Sequence, residues 1–197
     1  MTTTVVNTGG GGFPSAMPAM AGPEHKTGGG QRPAILIMDD EEYVRELLNA
    51  MIKRHRDFIE GTNPRMTGFE IILAKDGMEA LELFKDPKNM GRIMAVVTDR
   101  EVHHIEDEGD NLIREIRGFE AGKGMVNPTV DCRPNDRGVG IAMFSGTLPG
   151  THEERARIGI ETCFGKPIID YSKTFILPLV ELTRLTERRR FPSTLTV

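Results

Sequence analysis

The chain has 197 residues, of which 38% are apolar and 27% are charged, and its formal net charge is −4. This length indicates one globular domain with appendages or two very small domains, and the composition excludes collagen-like, coiled-coil and fully disordered proteins. No stretch reaches the roughly 18 consecutive apolar residues that a membrane-spanning helix needs, so we expect no membrane span. The N-terminus carries no Lys or Arg before an apolar run, and only two cysteines are present, Cys132 and Cys163. We therefore expect no secretory signal peptide, no disulfide scaffold and a cytoplasmic location.

The N-terminal segment differs from the rest of the chain. Its first 30 residues contain eight Gly and three Pro but only two charged residues. Such a segment cannot bury enough apolar surface to offset the entropy lost on ordering. We predict a disordered Gly/Pro-rich tail over residues 1–31, one folded domain over 32–190 and a short C-terminal tail over 191–197.

Within the predicted domain, apolar runs alternate with segments whose apolar residues recur at helical spacing. In chain order these are strand Ala34–Met38, helix Glu42–Arg54, strand Phe69–Ala74, helix Gly77–Phe84, strand Ile93–Val97, helix Asn111–Ile116, strand Gly140–Phe144, helix Glu153–Ile158, strand Thr162–Gly165 and helix Asp170–Arg188. Pro178 is expected to kink or restart the last helix. Strands that are apolar throughout are typical of a parallel sheet covered on both faces. The pattern predicts an α/β fold with a doubly wound, five-stranded parallel sheet and five helices.

Three connections are longer than such a unit requires, and we interpret them as insertions near residues 56–68, 102–110 and 118–138.

Polar side chains follow four of the predicted strands at the point where each strand ends. Asp39 and Asp40 follow the first strand, Asp99 the third, Ser145 the fourth and Lys166 the fifth. Ligands of open parallel sheets bind outside the carboxyl ends of the strands, so we expect these side chains to converge. Taken singly, an acidic pair at this position can equally cap a helix.

Clustered carboxylates repel one another unless a cation compensates their charge, and oxygen ligands favour Mg²⁺. A carboxylate beside Mg²⁺, a lysine and a hydroxyl is suited to attack a phosphorus centre, because the cations neutralise charge on the transferred group. The combination predicts formation of an aspartyl phosphate.

Four motifs in the chain resemble the receiver domain of two-component response regulators. They are AILIMDDEEYVRELL, AVVTDRE, IAMFSGT and GIETCFGKPI, they occur in the order found in that family, and the resemblance covers residues 33–190. It implies a flavodoxin-like fold and a stand-alone, single-domain receiver, because too few residues follow position 190 for a DNA-binding domain.

The resemblance also implies roles for individual residues. Asp99 would accept a phosphoryl group from a histidine kinase or phosphotransfer protein, and Ser145 and Lys166 would bind the phosphoryl oxygens. Mg²⁺ would be held by Asp39, Asp40, Asp99 and the backbone carbonyl of Glu101. The Lys166–Pro167 bond would be cis. A protein–protein surface formed by the last two helices and the fifth strand would then switch, with an unknown downstream target.

Two departures from the family pattern concern the segments around the site. Residues 101–105 read Glu-Val-His-His-Ile where the family has a Met-Pro pair, and the Asp-Gly glycine is displaced by about two residues to Gly109. Cys163 stands where the family often has an aromatic residue that reports phosphorylation.

These departures keep two alternatives open. One is a receiver-like interaction module that works without phosphorylation, and the other is a phosphohydrolase of related fold. The second normally has an Asp two residues after the nucleophile, where this chain has Glu101, so we expect the chain not to be an enzyme. The pair His103-His104 does not predict a metal site, because adjacent side chains diverge and no third soft ligand is evident.

Overall fold

Five strands form one sheet in the computed structural model, which describes residues 31–101, 108–123, 138–146, 151–166, 168 and 170–191. The strands are β1 (Ala34–Met38), β2 (Glu70–Ala74), β3 (Ile93–Asp99), β4 (Gly140–Ser145) and β5 (Thr162–Gly165). Their order is β2-β1-β3-β4-β5, and each neighbouring pair is parallel. The predicted sheet is therefore confirmed. Most of the predicted N-terminal tail and residues 192–197 lie outside the described residues.

The described residues contain six α-helices where the sequence predicted five. They are α1 (Glu42–Arg54), α2 (Arg56–Thr62), α3 (Gly77–Lys85), α4 (Glu108–Gly122), α5 (His152–Ile158) and α6 (Leu177–Arg190). None of these helices is both long enough and apolar enough to cross a membrane.

The additional helix is α2, which lies in the connection interpreted as an insertion near 56–68. It buries a single side chain, Ile59, so its sequence has no amphipathic period that could predict it. His55, with φ −104° and ψ 17°, separates it from α1. A short 3₁₀ turn, Pro64–Met66, then leads toward β2.

Helix α4 is longer at both ends than the predicted segment Asn111–Ile116. It begins at Glu108 and ends at Gly122, so it takes up part of both neighbouring connections. The segments 102–107 and 124–137, which make up most of the second and third predicted insertions, lie outside the described residues.

The last helical segment restarts at its proline, as expected. A π-helical turn, Ser172–Ile176, precedes α6, and Pro178 lies in the first turn of α6. A proline is tolerated there because its missing N–H would have no partner within the helix.

Two hydrophobic clusters cover the two faces of the sheet. One joins β1, β3, β4 and β5 to α1 and α6, through Ile37, Leu48, Val97, Phe144, Phe164, Phe175 and Leu179 among others. The other joins the opposite face to α3 and α4, through Leu36, Phe84, Val96, Ile113 and Met143 among others. The strand ends are thus fixed by packing from both sides.

A buried ion-pair network ties α4 and α6 to the amino-terminal ends of the strands. Glu120 is fully buried; it accepts hydrogen bonds from Val139 N–H at 2.8 Å, from Arg117 at 3.0 Å and from Arg190 at 3.5 Å. Arg190 also donates to the Ile93 carbonyl at the start of β3, at 2.7 Å.

Replacing Glu120 should be far more damaging than breaking an exposed pair. We expect Glu120→Ala to lower the free energy of unfolding by about 3–5 kcal/mol, because it leaves buried guanidinium groups without that partner. The matched control is Glu181→Ala, which breaks the exposed 2.8 Å pair with Arg184 and should change stability by less than about 1 kcal/mol. Chemical denaturation measures the free energy of unfolding of both variants. Equal losses in the two variants would contradict a stabilising role for the buried Glu120 network.

Candidate functional site

The carboxyl ends of β1 and β3 lie side by side at the position where the strand order changes direction. Strand β2 lies on one side of β1 and β3 on the other, so the connections from β1 and β3 diverge at this point. Such switch points are where open α/β sheets bind ligands. Asp39 directly follows β1, and Asp99 is the last residue of β3.

Three carboxylates meet there. Asp39, Asp40 and Asp99 each offer one oxygen, and these oxygens all lie within 4.8 Å of one another. Asp39 is fully buried and Asp99 is 6% exposed. Backbone N–H groups hold one oxygen of each buried carboxylate: Glu41 N–H donates to Asp39 Oδ1 at 3.0 Å, and Arg100 N–H donates to Asp99 Oδ1 at 2.7 Å.

Lys166 bridges the second oxygens of these two carboxylates. Its Nζ donates to Asp39 Oδ2 at 3.0 Å and to Asp99 Oδ2 at 2.8 Å. The lysine follows β5, and its own N–H donates to the Ser145 carbonyl at 3.1 Å, which continues the β4–β5 pairing to the strand end. The predicted convergence of Asp39, Asp40, Asp99 and Lys166 is therefore present in the structure.

Burial and pairing act in opposite directions on these groups. Burial raises the pKa of Asp39, the neighbouring Asp99 carboxylate adds to the rise, and Lys166 opposes it only in part. Burial also opposes the charge on Lys166, but its hydrogen bonds to Asp99 and Asp39 prevail and raise the pKa of the ammonium. Negative charge on the three carboxylates is therefore costly here, and a bound cation beside Lys166 would stabilise it.

The donor set fits a hard metal ion. All three donors are carboxylate oxygens, and oxygen ligands are those that Mg²⁺ and Ca²⁺ take. The cluster can therefore hold a metal in addition to Lys166.

The remaining predicted site residues lie near this edge. Ser145 ends β4 and is 6% exposed, and it comes one residue after Phe144, which is the register partner of Asp99. Glu101 is exposed, two residues beyond the end of β3. His103, His104 and Pro167 lie outside the described residues, so the predicted cis bond stays a prediction.

Cys163 lies within β5 and packs against the α3–α4 side of the core. Burial raises the pKa of its thiol, although a hydrogen bond from Arg155 acts in the opposite direction. The side chain therefore packs as a small, partly buried group.

One residue that the sequence did not single out shapes the β1 end of the site. Arg45 on α1 donates through Nη1 to the carbonyls of Asp39 at 2.7 Å and Asp40 at 2.9 Å, which fixes the turn that carries both carboxylates. Its only sequence signal is a basic residue soon after the acidic pair.

Gly109 lies against the backbone of Asp99. A Cβ at Gly109 would overlap with the Asp99 carbonyl oxygen, and Gly109 N–H donates to the Arg100 carbonyl at 3.0 Å. The displaced glycine therefore packs directly on the backbone at the end of β3.

Comparisons with solved structures identify the fold. The chemotaxis protein CheY4 of Vibrio cholerae matches with a TM-score of 0.52 at 18% identity, over 77% of this chain and 98% of that one. The receiver domain of the Saccharomyces cerevisiae response regulator Ssk1, solved with the histidine phosphotransfer signaling protein Ypd1, matches with a TM-score of 0.53 at 17% identity, over 83% and 95%. This is the receiver-domain fold.

A response regulator receiver protein of Pseudoalteromonas atlantica matches the receiver fold of this chain with a TM-score of 0.50 at 11% identity, over 76% of this chain and 97% of that one. No protein-family model and no curated protein matches the sequence. At these identities the likeness concerns the fold alone, and any function has to be inferred from the residues of the site.

Two glycines of α4 give a matched test of the contact with Asp99. We expect Gly109→Ala to lower the free energy of unfolding by about 1–3 kcal/mol and to weaken metal binding, because the new methyl group displaces the Asp99 backbone. Gly118→Ala meets no atom within 4 Å and should stabilise the helix by about 0.5–1 kcal/mol. Denaturation and isothermal titration with Mg²⁺ measure these effects. Unchanged metal affinity in Gly109→Ala would mean that the contact does not position the site.

Proposed function

We propose that this protein is a phosphorelay receiver that accepts a phosphoryl group on Asp99 from a histidine kinase or phosphotransfer protein. The observation that carries the proposal is the clustering of Asp39, Asp40 and Asp99 around the Lys166 ammonium at the switch point of a receiver fold. The Saccharomyces match supports the choice of donor, because that receiver was crystallised with a histidine phosphotransfer protein.

In the proposed reaction a carboxylate oxygen of Asp99 forms a bond to phosphorus. The bond from phosphorus to the donor's histidine nitrogen breaks, and the nitrogen keeps the electron pair. Arg100 N–H holds Asp99 Oδ1 at 2.7 Å, so the carboxylate is oriented before the donor arrives. As negative charge develops on the phosphoryl group, Lys166 exchanges its hydrogen bond to Asp99 Oδ2 for one to a phosphoryl oxygen.

Asp39, Asp40, Asp99 and the backbone carbonyl of Glu101 would hold Mg²⁺. The ion would neutralise negative charge on the transferred phosphoryl group. Ser145, at the end of the neighbouring strand, would donate its hydroxyl to a phosphoryl oxygen. The phosphoryl group ends on the protein itself, so we expect self-catalysed transfer and hydrolysis but no turnover of an external substrate.

The surface of α5, β5 and α6 would carry the signal onward. Lys166 directly follows β5, so its movement toward a phosphoryl group acts first on this strand. A cleft of about 500 Å³ lies between β5 and α6 and is lined by Thr162, Leu177, Pro178 and Leu182 among others. We propose that a protein target in the cytoplasm binds this surface.

Labelling with a small phosphodonor tests the phosphoacceptor directly. With Mg²⁺ and acetyl phosphate we expect one phosphoryl group per chain by intact-mass spectrometry, labile to hydroxylamine. Asp99→Asn should abolish it, because an amide is a poor nucleophile, and should leave the fold intact. Asp40→Ala should weaken Mg²⁺ binding, whereas Lys166→Ala should preserve metal binding and uncouple phosphorylation from any surface change.

Two results would contradict this assignment. Labelling that persists in Asp99→Asn would place the acceptor elsewhere. Wild-type protein that binds Mg²⁺ but is labelled by no donor or kinase would favour a module that works without phosphorylation, and steady hydrolysis of phosphate esters would favour the phosphohydrolase.

Glu101 offers a second test, because its side chain is exposed two residues after the acceptor. A carboxylate there either orients or repels the water that attacks the phosphoaspartate, so Glu101→Gln should change the half-life of the phosphorylated protein severalfold. The rate of phosphate release measures it, with the exposed Glu42→Gln as control. An unchanged half-life would leave only the Glu101 backbone in the site.

A further inference from the structure

An aromatic ring faces the site lysine. Lys166 Nζ lies 4.8 Å from the centroid of the Phe144 ring, within the range of cation–π attraction. Phe144 is 5% exposed and is the register partner of Asp99 across the β3–β4 pairing. The ring therefore lies at the carboxyl ends of the strands, beside the acceptor carboxylate, and has no role in the reaction proposed above.

The ring lies in a part of the core that holds two more buried aromatic residues. Phe164, buried on β5, is the register partner of Phe144. The Phe164 ring packs edge-on against Phe175 in the turn before α6, with centroids 4.8 Å apart and an interplanar angle of 62°. All three belong to one hydrophobic cluster, so Phe144 cannot turn away from Lys166 without disturbing its packing.

We propose that Phe144 is a positioning residue that holds the Lys166 ammonium at the site through the face of its ring. This inference rests on the proposed function. The hydrogen bonds of Lys166 to Asp39 and Asp99 must change when those carboxylates bind a metal or when Asp99 is phosphorylated. The contact with the ring involves none of those oxygens, so it keeps the ammonium at this end of the strands while its hydrogen-bond partners change.

A phenyl ring suits this role for a chemical reason. Its face attracts a cation, but it has no lone pair that could bind Mg²⁺ or react with phosphorus. A carboxylate at the same place would attract the lysine and also compete for the metal. We therefore expect loss of the ring to slow phosphorylation while the affinity for Mg²⁺ stays unchanged.

The experiment varies the ring's charge distribution at constant shape. Mono-, di- and trifluorophenylalanine are introduced site-specifically at position 144, and the rate of phosphorylation by acetyl phosphate is measured at saturating Mg²⁺. We expect the rate to fall stepwise with each fluorine, by about two- to fivefold over the series. Phe119 is the matched control, since its ring lies 5.8 Å from Lys85 Nζ and 5.7 Å from Lys123 Nζ, and fluorination there should not change the rate.

Removal of the lysine separates positioning from packing. Phe144→Leu should slow phosphorylation in the wild-type background and have no further effect on the rate in Lys166→Ala. If Phe144→Leu does not fold, the fluorinated series and its comparison in the Lys166→Ala background still decide the question. A flat series in a wild type that is phosphorylated, or equal losses with and without Lys166, would overturn the role of Phe144 and leave the proposed function standing. A wild type that is not phosphorylated would overturn both.

Discussion

Two buried carboxylates at neighbouring strand ends govern the organisation of this sheet edge. Asp39 and Asp99 meet because β1 and β3 are adjacent where the strand order changes direction. Like charges this close destabilise each other unless a cation lies between them. Lys166 supplies that cation at 3.0 and 2.8 Å, so the position of the β5 end depends on the charge of a pair that lies two and three strands away.

The contacts that orient the two aspartates differ from the contacts that can change when a ligand binds. Backbone N–H groups hold the Oδ1 atoms of both aspartates, and Arg45 holds the carbonyls of the turn after β1. The Oδ2 atoms face Lys166, whose partners can change without loss of the backbone contacts. Under the proposed function, preorganisation of this kind would let a cation or a phosphoryl group bind without a rearrangement of the loop.

The sequence predicted the parts of the site that depend on topology and missed those that depend on packing. Asp39 and Asp99 were predictable because each ends an apolar run, and a parallel sheet brings such ends together. Phe144 was not, because an apolar residue in a strand has the same pattern whether its ring faces the core or an ammonium. The sequence identified Gly109 as a displaced glycine, but its close approach to the Asp99 carbonyl depends on where α4 begins and could not be predicted. The single buried residue of α2 likewise left no period to detect.

Helix α6 is held at its carboxyl end by contacts with the amino-terminal ends of the strands, away from the candidate site. Arg190 donates to the carbonyls of Gly91 and Ile93 and pairs with buried Glu120, so the carboxyl end of α6 is anchored to the amino-terminal ends of the strands. The segment before α6 instead packs on β5 through Phe175 and Phe164, close to Lys166. One end of the helix is therefore held by a network of charges at the amino-terminal ends of the strands, while the segment before its other end packs on the strand that precedes the lysine. The two ends of α6 are thus held by different kinds of contact, aromatic packing on β5 before its start and buried ion pairs at its end.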